Sequence, residues 1–203
     1  LPSIYSLKPK FQSLLRPLVG RLARVGATAN QVTVFAALLS IAVGAWIALS
    51  AGSSAALLAV PIVLLARMAL NAIDGMLARE YGQQSRLGAV LNELGDVIAD
   101  AALYLPFALV PGVAAAWIVV VVVLAVVSEM TGVVAMQIGA NRRYDGPMGK
   151  SDRAFCFGAL ALLLGAGVPT GAWMSWALAA MSLLLVVTIW NRARRALAEG
   201  NAA

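Results

Sequence analysis

Long apolar runs, broken at short intervals by glycine, proline and serine, dominate the chain. Read as helices they give six spans: Val32–Ser50, Ala55–Ile73, Leu87–Val110, Val113–Met136, Ala154–Val168 and Ala172–Trp190. Most approach the roughly 20 residues that cross a bilayer, and none alternates as the strands of a membrane barrel do. Pro61 and Pro106 fall inside spans, where neighbouring helices can satisfy the carbonyls they free. Ahead of the spans, Phe11, Leu14, Leu15, Leu18 and Leu22 recur at helical spacing among Lys10, Arg16, Arg21 and Arg24. That is the pattern of an amphipathic helix lying in the membrane interface. It is not a secretory signal, because the cations interrupt its apolar run. Asn30 and Thr33 mark the start of the first span. The expected architecture is an all-α integral membrane protein of one domain without internal repeats. An interfacial helix over 1–26 precedes a six-helix membrane bundle over 31–193 and a cytoplasmic tail over 194–203.

Composition agrees with this reading: 62% of the 203 residues are hydrophobic and 12% charged, against about 45–50% and 25% in soluble domains. Fourteen of the fifteen lysines and arginines lie outside the spans, all in segments that six crossings put on one side. The positive-inside rule then makes both termini cytoplasmic. The net charge of +6 points to anionic lipids or phosphates before nucleic acid.

The chain has no histidine, which excludes a Ser-His-Asp triad and any His-ligated metal. The single cysteine, Cys156, lies in an apolar stretch and reads as a small buried hydrophobe. Catalysis would therefore rest on carboxylates, amides, Lys, Arg, hydroxyls or a bound metal.

The acids cluster. Asn71, Asp74 and Ala78 share one face at the end of the second span, and Gly88, Asn92, Asp96 and Asp100 one stripe at the start of the third. A mid-span carboxylate costs about 2.5–3.5 kcal/mol on insertion scales, so such groups face a partner, an ion or a wet cavity. One reading pairs them with Arg67, Arg79 or Arg86 to hold helices together. The other makes them a hard-cation site, since oxygen ligands without His or Cys suit Mg2+. The small residues Gly75, Ala78, Gly82 and Gly88 leave room for a bulky ligand such as a metal-bridged nucleotide diphosphate.

The run Asn71-x2-Asp74-Gly75-x2-Ala78-Arg79-x8-Gly88-x3-Asn92-x3-Asp96 resembles the CDP-alcohol phosphotransferase signature, Asp-x2-Asp-Gly-x2-Ala-Arg-x8-Gly-x3-Asp-x3-Asp. The spacing agrees at every step, with asparagine at two of the four aspartate positions. Thr28-Ala29-Asn30 stands where that family often has Thr-Pro-Asn, and the resemblance covers essentially the whole chain.

The resemblance implies a bacterial-type enzyme of the inner membrane, usually a homodimer, with its active site on the cytoplasmic side. It implies transfer of a phosphatidyl group from CDP-diacylglycerol to a small polar alcohol, with release of CMP. One or two Mg2+ or Mn2+ ions would be held by Asn71, Asp74, Asn92 and Asp96, with Asp100 as a substitute ligand. Asp96 would be the general base. Asp74, Gly75, Ala78, Arg79, Ser85 and Gly88 would line the cytidine diphosphate pocket. Arg142, Arg143, Lys150 and Arg153 resemble the family's phosphate-binding cluster and favour a phosphorylated acceptor; topology and lipid contact are the alternative for them. Glu129, inside the fourth span, can orient one of these cations or touch the acceptor. Two other readings stay open: a CDP-choline or CDP-ethanolamine phosphotransferase, and a catalytically degenerate lipid-binding or transport protein.

Overall fold

A computed structural model of the chain describes residues 4–200. Seven α-helices follow one another: α1 (Ile4–Arg24), α2 (Ala29–Leu49), α3 (Ser54–Glu80), α4 (Arg86–Tyr104), α5 (Ala115–Val134), α6 (Lys150–Gly165) and α7 (Ala172–Gly200). Short 3-10 turns extend α4 over Leu105–Leu109 and α5 over Ala135–Ile138, and no strand occurs among the described residues. Four helices are long and apolar enough to cross a membrane: α2, α3, the α5 segment Ala115–Ile138, and α7.

Their outer surfaces carry the apolar residues that a soluble protein would hide. Val119, Val120, Val123, Val126, Val127 and Met130 of α5 are all exposed. Every backbone hydrogen bond within a helix is local, so such a surface can meet lipid without leaving polar groups unsatisfied.

The third expected span does not run unbroken to Val110: α4 stops at Tyr104. Pro106 has no N–H to offer the carbonyl of Ala102, four residues earlier. That carbonyl meets Gly44 of α2 instead, its oxygen 1.9 Å from where a Cβ would stand. Only glycine fits there. At the other end of the chain, the expected tail from 194 is helical to Gly200, as the last two turns of α7.

The helices form two compact units, Leu1–Ile41 with Ile62–Ala99 and Ala42–Pro61 with Asp100–Ala203. In the first, Val19 of α1 is fully buried with Val32, Ile73, Met76 and Leu77. Leu15 and Leu22 pack at the edge of that cluster, whereas Leu14 and Leu18 face outward. The apolar stripe of α1 is thus divided between a protein-facing and an outward-facing side. The second unit centres on Tyr104 and Phe157, stacked with ring centroids 4.0 Å apart, and on Phe107 set edge-on to Phe157.

Candidate functional site

In the first unit, side chains of α2, α3 and α4 supply the oxygen atoms of the site. Asn71 and Asp74 lie three residues apart on α3, hence on one face. Asp74 is buried, and its Oδ2 accepts a 2.8 Å hydrogen bond from Thr33 Oγ1 of α2. Thr33 also lies 3.1 Å from the Ala29 carbonyl. It has one proton to give, and the charged acceptor makes the stronger bond.

Asp96 of α4 completes the group. Its Oδ1 accepts from the Asn71 amide at 3.4 Å and lies 4.0 Å from a terminal nitrogen of Arg67. The Arg67 side chain is only 4% exposed, that of Asp96 28%. This is the helix-joining pair that the structural reading of the acids expects. Asn92, one turn before Asp96, is exposed.

Small residues and caps shape the neighbourhood. Ser85 caps α4 by accepting from the Gly88 N–H at 2.9 Å. A Cβ on Gly88 would stand 2.8 Å from Asn30 Oδ1, so the missing side chain lets α2 and α4 close together. Gln83 ties the preceding loop to the same place: its Oε1 accepts from the Ala29 N–H at 2.7 Å, and its amide donates to the Ala27 carbonyl. The Arg79 guanidinium folds over Gly75, 2.9 Å from where a Cβ would be. Ala78 packs at the edge of the Val19 cluster.

Thr33, Asn30, Gln83 and Arg67 were not among the expected site residues. Asn30 and Thr33 are three apart on one helix face, a signal that could have placed both beside the acids.

In the second unit the basic residues meet acids of their own. Arg153, 1% exposed, donates to Glu129 Oε1 at 2.9 Å and to Asp100 Oδ2 at 3.2 Å. Glu129 Oε2 takes Arg142 at 3.2 Å and pairs with Arg192 at 3.4 Å. Arg192 also donates to the Ser128 carbonyl at 2.6 Å. Arg143 binds Asp145 at 2.7 Å and Glu199, and Arg195 reaches the other oxygen of Asp145.

Burial pushes the Asp145 carboxyl up, but the hydrogen bonds and charges of Arg143 and Arg195 outweigh it and hold the group below the usual carboxylate range. The Arg142 guanidinium lies 4.3 Å over the Tyr144 ring, a cation–π contact. Gly132 lets this loop dock on α5: the Arg143 N–H donates to its carbonyl at 3.1 Å, and the Arg143 oxygen is 2.6 Å from where a Cβ would be. Lys150 opens α6 and is half-buried.

The expected site residues therefore fall into two groups. Asn71 and Asp96 meet in the first unit, and Asp74, on the same face of α3 as Asn71, is bound by Thr33. Asp100, the expected substitute ligand, is bound by Arg153 in the second. Among the described residues no three carboxylates converge in a metal cage. The signature donors of this unit, Asp74, Asp96 and the Asn71 amide, are hard oxygen ligands of the kind that suits a divalent cation.

The profile of the CDP-alcohol phosphatidyltransferases matches residues 27–190. The chain belongs to this family. A relative in Escherichia coli K12, the inner membrane protein YnbA, is 46% identical over 193 residues, covering 95% of this chain and 94% of that protein. The fold is shared with phosphatidylinositol phosphate synthase (PgsA1) of Mycobacterium tuberculosis. Its crystal structure with CDP-DAG bound aligns with a TM-score of 0.75 at 22% identity, covering 89% of this chain and 92% of that one. A second structure of the same enzyme, in complex with manganese and citrate, aligns with the same TM-score and covers 88% of its own chain. The family match spans both compact units.

Proposed function

We propose that this protein transfers a phosphatidyl group from CDP-diacylglycerol to the hydroxyl of a small polar alcohol, releasing CMP. The carrying observation is the signature run folded with Asn71 of α3 against Asp96 of α4 at 3.4 Å. CDP-DAG bound to a protein of the same fold supports the choice of donor. We read the chain as one domain of six spans with α1 in the interface, in the inner membrane, both termini cytoplasmic and the chain paired as a homodimer.

In the reaction the acceptor hydroxyl attacks the phosphorus that carries diacylglycerol. The bond from that phosphorus to the bridging oxygen breaks, and CMP leaves with the electron pair. Asp96 is the base: its side chain is partly open to solvent, and a carboxylate there can take the acceptor proton. Thr33 fixes the rotamer of Asp74. To Arg79, Ser85, Gly75 and Gly88 we assign the nucleotide pocket, as the family resemblance implies. Asn71, Asp74 and Asp96 would hold a divalent ion, with Asn92 as a neutral ligand at the rim; Asp100, bound to Arg153, suits that role least. When bound, the ion would neutralise the diphosphate and the leaving group.

To Arg142, Arg143 and Lys150 we assign the binding of a phosphorylated acceptor, on their resemblance to the family's phosphate-binding cluster; acids already engage Arg142 and Arg143. Arg153 is instead a positioning residue for Arg142, through the Glu129 that the two share.

CMP release from CDP-diacylglycerol, measured with purified protein over a panel of alcohols and their phosphate esters, tests this reading. Release with at least one acceptor is expected. Release from CDP-choline or CDP-ethanolamine with diacylglycerol, and none from CDP-diacylglycerol, would replace it with the soluble-donor reading. Lipid binding with no release in any combination would favour the degenerate one, which the internal pairing of Asp96 with Arg67 supports.

A further inference from the structure

The acidic cluster on α3 and α4 contains a cation of its own. Arg67 lies one turn before Asn71 on α3, and its side chain is 4% exposed. A guanidinium so far from water needs negative charge near it. Asp96 Oδ1, 4.0 Å away, is a Coulombic contact at a distance too long for a direct hydrogen bond. The Asn71 amide approaches the same oxygen from the same helix. Two nitrogens of α3, one charged, thus face Asp96, an acid of α4 that retains partial exposure.

We propose that Arg67 is a charge-setting residue of this site, a resident cation that limits it to one divalent ion and weakens the hold on that ion. The proposal rests on the phosphotransferase reading of the cluster. Asp74 and Asp96 supply two negative charges and Arg67 takes back one, while Asn71 and Asn92 add none. One divalent ion already makes the group positive, and a second would sit among neutral amides beside a buried guanidinium. Divalent affinity follows the number of charged ligands, and a fixed positive charge a few ångströms away acts in the opposite sense. The ordering of α3 against α4 then does not wait for metal, because Arg67 is covalently present at all times.

The test is Mn2+ binding, followed by electron paramagnetic resonance and calorimetry on detergent-solubilised protein. Wild type is expected to bind one Mn2+ per chain. Arg67→Met, which keeps the length and removes the charge, should bind Mn2+ at least roughly tenfold more tightly. Arg67→Lys should bind as wild type does. Should Arg67→Met fail to fold, Arg67→Gln carries the same expectation, and the wild-type stoichiometry is decisive alone. Two Mn2+ per wild-type chain would overturn the proposal, as would an Arg67→Met affinity equal to or below that of wild type. Binding of CDP-diacylglycerol, measured in parallel, separates the two claims. If it persists while Mn2+ affinity ignores Arg67, only the role of Arg67 falls. If wild type binds neither Mn2+ nor the nucleotide lipid, the phosphotransferase reading falls and takes this proposal with it.

Discussion

Asp96 and Asp100 are one turn apart on α4, yet they live differently. Asp100 is 9% exposed in its side chain and held by a buried arginine at 3.2 Å. Asp96 is 28% exposed, with an amide at 3.4 Å and a guanidinium at 4.0 Å. The first belongs to a network in which Glu129, Asp100, Asp145 and Glu199 answer Arg142, Arg143, Arg153, Arg192 and Arg195 almost charge for charge. The second belongs to a cluster in which Arg67 and the Asn71 amide approach the same carboxylate oxygen. A saturated network resists change because removing any member strands another in low dielectric. A carboxylate that keeps partial exposure, as Asp96 does, is within reach of a proton donor or a cation. The contrast separates what holds the helices from what can do chemistry, even between acids on one stripe.

The widest gap between the regions should appear in turnover. Asp96→Asn removes the base while keeping the shape, and should lower CMP release by about 10²–10⁴-fold, far more than the stability lost by depriving Arg67 of its acid accounts for. Near-wild-type turnover would mean that Asp96 is only a helix-joining acid. Asp74→Asn should fall in the same range, through the loss of the other carboxylate of the cluster.

Arg153→Ala should do the opposite. It leaves Glu129 and Asp100 without their shared buried cation, a loss of about 3–5 kcal/mol for a broken buried pair. Thermal unfolding in detergent should move down sharply. If the variant were as stable as wild type and failed only toward a phosphorylated acceptor, Arg153 would belong to the acceptor site rather than to the clamp.

The two regions were unequally legible in the sequence. Asn71, Asp74 and Asp96 could be placed because helical period converts spacing directly into facing, and a short loop brings α3 and α4 side by side. The partners of Glu129 could not. Arg142, Arg153 and Arg192 lie 13, 24 and 63 positions away in the chain, and nothing local says which cation a mid-span acid will choose. The halt of α4 at Tyr104 was hidden for a related reason. The glycine that lets the freed Ala102 carbonyl pack closely, Gly44, lies in another helix. Thr33 was read as a start signal when its hydroxyl serves Asp74 as well.

A smaller test lies in that hydroxyl. Thr33→Val keeps the branched shape and removes the donor. A hydrogen bond to a charged group is worth about 1.5–3 kcal/mol, so the variant should be measurably less stable. If Asp74 needs its rotamer fixed for chemistry, turnover should fall further than thermal unfolding accounts for. An equal loss in both readouts would leave Thr33 with a structural role only.

The smallest effect belongs to the exposed end of the saturated network. Asp145 is held below the usual carboxylate range by Arg143 and Arg195 against the cost of burial. A depressed pKa contributes stability that is present above the unfolded value, about 3.9, and is lost as pH falls through the folded one. Arg195 is 61% exposed in its side chain, so solvent screening keeps the contribution near or below about 1 kcal/mol. Unfolding of wild type and Asp145→Asn, compared from neutral pH downward, should differ by a constant amount until the carboxylate range. The difference should then close as the wild-type group takes up its proton. Added salt should shrink it at neutral pH, because ions reach exposed charges, while the penalty of Arg153→Ala stays nearly unchanged by salt. If both penalties responded to salt alike, the distinction between a buried clamp and its solvated rim would be lost.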